Sequence, residues 1–324
     1  MSIYDIEPQG FARIRTFPLA RRKSKVNVRA FARPPRAAGP FATFLDSLPD
    51  VLAAADLRNL VAAVQAAKRK RRPILWGIGA HVIKVGLAPV LIELMRRGFI
   101  SSIAMNGAAL VHDFEIAMVG NTSEDVEAVL GSGEFGMAEE TGLLLNEMAA
   151  GAARSRIGLG EAAGKLLTNR RLRAKYLQAS VLAQAYRLRI PVTVHLAIGT
   201  DIPHMHRAAD GAALGAATHF DFRLFCALVR RMQPGGVYLN WGSAVLLPEV
   251  FLKAVSVARN LGTPLRPITT ANFDFIQHYR PLQNVVKRPT AGAKNERGAA
   301  SRGYAITGHH EIMLPLFAAA LLRR

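Results

Sequence analysis

A chain of 324 residues, 50% hydrophobic and 20% charged, is long enough to bury the core of a large α/β domain. Apolar runs of about eighteen residues are all interrupted by a charge or a breaker, so no membrane span is expected. The N-terminus, with Asp5, Glu7 and early arginines, lacks the apolar centre of a secretory signal. The single cysteine, Cys226, excludes an internal disulfide and fits a reducing, cytoplasmic compartment.

A net charge of +19 would suit an anionic partner such as nucleic acid or lipid headgroups. The cations fall in separate clusters of an Ala-, Leu- and Gly-rich chain, so nucleic acid is not the expected main partner. Residues 1–40 hold nine Lys/Arg against two acids, together with Pro34, Pro35 and Pro40. This pattern predicts an extended basic N-terminal arm, with residues 41–324 forming one domain.

A lead-in over Phe41–Leu48 precedes a helix near Leu57–Lys70, closed by the cations Lys68 to Arg72, which suit a helix C-terminus. Next, the apolar run Ile74-Leu75-Trp76 ends in the turn Gly77-Ile78-Gly79-Ala80. One amphipathic helix is expected from there to about Arg97. A second apolar run, Ile100–Met105, ends in Asn106-Gly107-Ala108. Strand, glycine turn, helix, strand, glycine turn is a βαβ unit whose glycines let backbone amides approach a ligand. Tight βα turns need glycine without any ligand too, so GxGA alone is a weak signal.

Helix continues over Phe114–Val119. Asn121-Thr122-Ser123 reads as a cap, with Glu124 and Asp125 in the following turn. Residues 136–188 read as helices. Strand Val192–Ile198 closes with Gly199-Thr200-Asp201, and a helix over Phe220–Met232 carries Cys226 on its apolar face as a structural thiol. Strand Val237–Leu239 closes with Asn240-Trp241-Gly242-Ser243, and helix Pro248–Asn260 follows. Strand Ile268–Ala271 closes with Asn272-Phe273-Asp274. A basic loop is expected over 287–303 and a helix over 309–322. Apolar runs alternating with helices five times predict a doubly wound parallel sheet, with ligands at the carboxyl ends of the strands.

Thr200-Asp201 and Asp274 stand where a carboxylate grips a ribose or an amide, or caps a helix. His112-Asp113, beside the Asn106 turn, are either caps or ligand contacts. His195, His204, His206, His309 and His310 invite a metal reading. No HExxH or Cys-His framework accompanies them, so no metal site is expected. Adjacent His309 and His310 point to different helix faces, so at most one of them can face a site.

Three blocks and the closing segment of this chain resemble the deoxyhypusine synthase family. Trp76 to Asp113 matches in spacing the family's first strand, helix and second strand. PVTVHLAIGTD (191–201) looks like IPVFCPALTDG, and ITTANFDFIQHYRP (268–281) looks like INTAQEFDGSDSGARP. The closing Leu-Pro-Leu-Phe-Ala-Ala-Ala is similar to the family's FPLLVA helix. The resemblance implies a Rossmann-type NAD domain and a homo-oligomer, a tetramer in that family.

It places NAD contacts on Ala80, Lys84, Asn106, Gly107, Ala108, Asp201 and Asp274. Gly77, Gly79, Asp113, Thr200, Asn240 and Gly242 complete the candidate cofactor set. The family's polyamine carboxylates fall on His206, Gln277 and Gln283, and its catalytic lysine on Pro289. A polyamine needs a carboxylate or an aromatic box for each buried ammonium, and an imine cannot form on proline. The expectation is therefore an NAD-dependent transferase or oxidoreductase acting on an amine-type or other small substrate, but not deoxyhypusine synthesis. Lys287 is the candidate base or imine-former, supported by His206 and His278. The rival is a non-catalytic NAD-binding sensor or scaffold whose basic arm meets an anionic partner.

Overall fold

The computed structural model describes residues 41–292 and 300–323; the expected basic arm, 1–40, lies outside the described residues. Six strands form one sheet: β1 (Ile74–Ile78), β2 (Ser102–Asn106), β3 (Val192–His195), β4 (Val237–Trp241), β5 (Thr269–Asp274) and β6 (Arg302–Thr307). Their order is β3-β2-β1-β4-β5-β6, and every pair is parallel. This is the Rossmann order, in which chain progression reverses between β1 and β4 and opens a crevice at their carboxyl ends.

The inner strands are apolar without alternation because both faces are covered. On one face, Trp76, Trp241 and Phe273 pack across β1, β4 and β5 beneath Phe317. Trp241 and Phe273 are register partners whose rings stack at 3.8 Å. On the other face, Tyr238 stacks on Phe251 at 3.8 Å, within a second core cluster that includes Phe225 and Val285.

Helices supply the two layers. The described chain opens with α1 (Phe41–Ser47) and α2 (Leu52–Arg69). The single helix expected after the first turn is two, α3 (Ala80–Lys84) and α4 (Ala88–Arg96). Gly86 takes a left-handed φ of 82° between them, and Pro89 fits the first turn of the second. Beyond β2 come α5 (Gly107–Val119), α6 (Val126–Val129), α7 (Glu139–Ser155), α8 (Leu159–Thr168) and α9 (Val181–Arg187). The cap of α6 is Asp125, whose carboxylate accepts from Ala128 N–H at 3.3 Å, and not Asn121 to Ser123.

The next helix, α10 (Gly211–Arg230), starts nine residues before its expected beginning at Phe220. Asp210 caps it through the N–H groups of Ala212 and Ala213, which lets a glycine-rich first half join the helix. By length and composition it is apolar enough to cross a bilayer. Here it packs on the sheet, and its central Asp221 is buried and accepts N–H bonds from Gly160 and Val194. Last come α11 (Leu246–Asn260), α12 (Tyr279–Pro281), which runs into a π-helical segment over Leu282–Lys287, and α13 (His310–Leu322). The part of the expected 287–303 loop that is described ends in β6, an edge strand absent from the sequence reading.

Candidate functional site

The carboxyl edge of the sheet gathers the turns after each strand. Gly77 lies inside β1, where a Cβ would meet the Tyr238 hydroxyl, so its smallness serves packing. Gly79 is the point of contact at the topological switch. Its N–H donates to the Trp241 carbonyl at 2.8 Å, and a Cβ there would run into the carbonyl of Gly242. Only a residue without a side chain lets the β1 and β4 turns touch. Ala80 opens α3, and Lys84 closes it.

After β2, Asn106 accepts from Ala109 N–H at 3.1 Å and caps α5. Gly107 leaves the room that the Asp201 carboxylate fills, and Ala108 donates its N–H to that carboxylate. Burial raises the Asp201 pKa, with His204 the largest opposing influence, followed by the Ala108 and Thr200 hydrogen bonds. The Asp201 loop is pinned by Thr200 Oγ1 donating to the Ala197 carbonyl at 2.7 Å and by His204 Nδ1 accepting from Gly199 N–H at 3.1 Å.

Lys84, Ala108, Thr200 and Asp201, all named from sequence, line one cleft of about 280 Å³ together with His112 and Glu115. The Thr122 hydroxyl donates to Glu115 at 2.6 Å and so accepts from His112 Nδ1 at 2.7 Å. Burial, then the Lys84 charge, lowers the His112 pKa.

Across the switch point, the ends of β4 and β5 carry a ladder of amides, Asn240 and Asn272 buried and Gln277 half-buried. Asn240 donates to Asn272 at 2.7 Å, Asn272 donates to Gln277 at 2.8 Å, and Gln277 donates to the Ile306 carbonyl at 3.1 Å. Gly242, at φ 66°, donates its N–H to the Phe273 carbonyl at 3.0 Å and faces His310. Asp274 accepts from Phe275 N–H at 2.9 Å, and its Oδ1 lies 3.7 Å from His310 Nε2. The His310 ring is buried, and neither of its nitrogens has a hydrogen-bond partner among the described residues.

Other candidates fall elsewhere. Asp113 is wholly buried away from the strand ends. It accepts from Ser180 Oγ (2.6 Å), Val181 N–H (2.7 Å) and Leu182 N–H (3.0 Å), so it caps α9. His206 packs against Gly142 on α7. Its Nδ1 accepts from Ala208 N–H, which leaves Nε2–H facing Glu139 at 3.4 Å. His278 is exposed and precedes α12 at the carboxyl edge.

Lys287 is exposed at the end of the π-helical segment, which runs towards the amino ends of β5 and β6. Thr270, near the start of β5, donates to the Val285 carbonyl at 2.6 Å, and Arg259 at the end of α11 donates to Pro289 at 2.6 Å. Within one chain, Lys287 is therefore not brought to Asp201 and Asp274. Cys226 is buried, which raises its pKa. Among the described residues, no cluster of three or more His, Cys, Asp or Glu can hold a metal ion.

His310 was not among the site residues expected from sequence. The signal that finds it is position: two histidines begin the helix after β6, a strand not expected from sequence.

No protein-family model matches this sequence, and no curated protein matches it. Solved structures do. A conserved protein assigned as LOR/SDH from Methanococcus maripaludis S2 aligns at TM-score 0.50 and 14% identity, covering 84% of this chain and 70% of that one. AgrE in its ternary complex with ornithine and NAD+ aligns at TM-score 0.49 and 13% identity, covering 84% and 34%. A protein assigned as a deoxyhypusine synthase from Entamoeba histolytica aligns at TM-score 0.46 and 10% identity, covering 89% and 95%. The chain spans about a third of AgrE. At such identities the likeness shows the fold: the chain is a Rossmann-type α/β protein with an all-parallel six-stranded sheet.

Proposed function

We propose that the carboxyl edge binds a nicotinamide dinucleotide, NAD, and that the protein is a cytoplasmic NAD-dependent oxidoreductase or transferase acting on a small substrate. The observation that carries this reading is the convergence of Lys84, Ala108, Thr200 and Asp201, from the segments after β1, β2 and β3, on one cleft at the carboxyl edge. The residues present fit the group. Lys84, Thr200 and Asp201 offer polar groups to the cleft, and the ring of His310 is buried without a hydrogen-bond partner among the described residues.

Lys84 supplies a cation for the pyrophosphate, Asp201 an acceptor for a ribose hydroxyl, and Asn106 to Ala108 the backbone approach. Asn240, Gly242 and Asp274 border the other half. When bound, the nicotinamide ring accepts a hydride from a substrate carbon.

Deoxyhypusine synthesis is not part of this reading. Gln277 is engaged by Asn272 and Ile306, His206 by Glu139, and Pro289 by Arg259, so none of these positions offers a carboxylate or an amine to a polyamine. Chemistry through Lys287 requires a homo-oligomer in which a neighbouring copy brings its amine to the crevice. His206 and His278, both in loops of the carboxyl edge, complete that candidate set.

Titrating NAD tests the reading, because a ligand held only by the folded state stabilises it by about 2.7 kcal/mol at roughly a hundred times its Kd. The melting temperature is expected to rise, and to rise less in Asp201→Ala. No shift at roughly millimolar NAD would sink the proposal.

A further inference from the structure

Each dry, unpartnered polar group costs roughly 1–3 kcal/mol, so a folded protein rarely keeps one without a use. His310 keeps two, on one ring, at the point where β4 and β5 end. Its Nε2 looks at the Asp274 carboxylate across 3.7 Å, beyond a hydrogen bond but within the range of a pair that tightens when a ligand arrives. Trp241, His81 and Phe275 wall the ring, with centroids at 6.3, 5.7 and 6.1 Å. The cover towards solvent is Phe275, 45% exposed, its ring stacked on that of His309.

The charges facing His310 come from Asp274, His81, His309 and Glu311. Burial is the largest influence and lowers its pKa; Asp274 and Glu311 oppose it, while the two histidines add to it. A neutral imidazole backed by a carboxylate is a proton acceptor.

We propose that His310, oriented by Asp274, accepts the proton when a small neutral alcohol is oxidised in the crevice, an inference that rests on the dinucleotide reading above. The substrate O–H bond breaks and its proton passes to the imidazole nitrogen that does not face Asp274. The carbonyl forms as the C–H bond breaks, and the hydride leaves to the oxidised nicotinamide dinucleotide. Asp274 then stabilises the imidazolium. A neutral hydroxyl fits because it brings its proton without a charge. A polyammonium would enter among three imidazoles with one buried carboxylate, already committed to His310.

The test is NMR of the full chain with isotope-labelled histidine, the His310 ring assigned through His310→Leu or, if that variant does not fold, through-bond correlation. NADH is expected to move the His310 signals. In the NAD-saturated protein, trifluoroethanol, which hydrogen-bonds but resists oxidation, moves them again, and spermidine does not. Asp274→Asn lowers the ring's titration midpoint.

If NADH raises the melting temperature while His310 stays unmoved, the proton role fails and the dinucleotide reading stands. If NADH changes neither, both fall. A response to spermidine in place of trifluoroethanol overturns the substrate class, and an unchanged or raised midpoint in Asp274→Asn overturns the positioning by Asp274.

Discussion

Around β3, β2 and β1, buried acids close helix ends. Asp113 caps α9, Asp201 caps α5 through Ala108, and Asp221 accepts N–H bonds from Gly160 at the start of α8 and from Val194 in β3. Around β4, β5 and α13 the buried polar groups are amides and rings, and several lack partners: the Tyr238 hydroxyl, Asn240 Oδ1, Trp241 Nε1 and both nitrogens of His310. The first half sets its buried acids on helix ends, although Ser102 Oγ, Asn146 Oδ1 and Asp221 Oδ1 also lack partners. In the second half the unpartnered groups include both nitrogens of the His310 ring, at the strand ends where a ligand can complete them. The two halves should therefore answer mutation with opposite signs.

The largest effect is expected in the first half. Asp113→Ala strands the Ser180 hydroxyl and two helix N–H groups in a dry interior, at roughly 3 kcal/mol. Urea unfolding checks it. A loss no larger than that of a surface substitution would break the comparison at its strongest point.

That role for Asp113 was not legible in the sequence. His112-Asp113 follows a glycine turn as a ligand-binding pair would, and nothing local shows that the carboxylate points across to Ser180, 67 residues away. The inner strands were legible because burial on both faces makes Ile74 to Trp76 and Ile103 to Met105 continuous apolar runs. The edge strand β6, with Arg302 and Thr307 exposed at its ends, carries no such run and was not expected; the loop expected over 287–303 covers only its first two residues. Without β6, the strand end that His310 follows was hidden. Turns at Gly79, Asn106, Asp201 and Asp274 were found because a strand that stops at a ligand edge leaves small or polar residues there.

The second expected effect is a pair of opposed pH dependences. Burial pushes the Asp221 carboxyl up to about 7 and holds the His195 imidazole down at about 3. For Asp221 the folded pKa lies above the ordinary one, so its contribution is full below pH 3.8 and is lost as pH rises through about 7. For His195 the folded pKa lies below 6.5, so its contribution is present above that value and lost as pH falls towards about 3. Denaturation of the wild type, Asp221→Asn and His195→Gln across that range should give difference curves of opposite slope. Equal slopes would show that one of the two groups is not held as described.

His310→Leu comes next, with the sign reversed. Replacing an unpartnered ring by an apolar side chain of similar bulk removes a desolvation cost, so stability is expected to hold or rise by about 1 kcal/mol. A loss comparable to that of Asp113→Ala would mean that the ring is structurally paired, and the second half would then resemble the first.

The smallest effect is reserved for Tyr238→Phe. The Tyr238 hydroxyl is wholly buried within the sheet beside Gly77, its pKa driven up by burial, and its ring is held by the stack on Phe251. Removing the oxygen leaves the stack intact and takes away a donor and an acceptor that meet no partner. A gain of about 0.5–1 kcal/mol in unfolding free energy follows. Unlike His310, this hydroxyl sits mid-strand, away from the turns, so NAD should raise the melting temperature of Tyr238→Phe as much as that of the wild type. A stability loss would reveal a hydrogen bond to an enclosed water, while a weakened NAD response would extend the ligand site inward from the strand ends along β4.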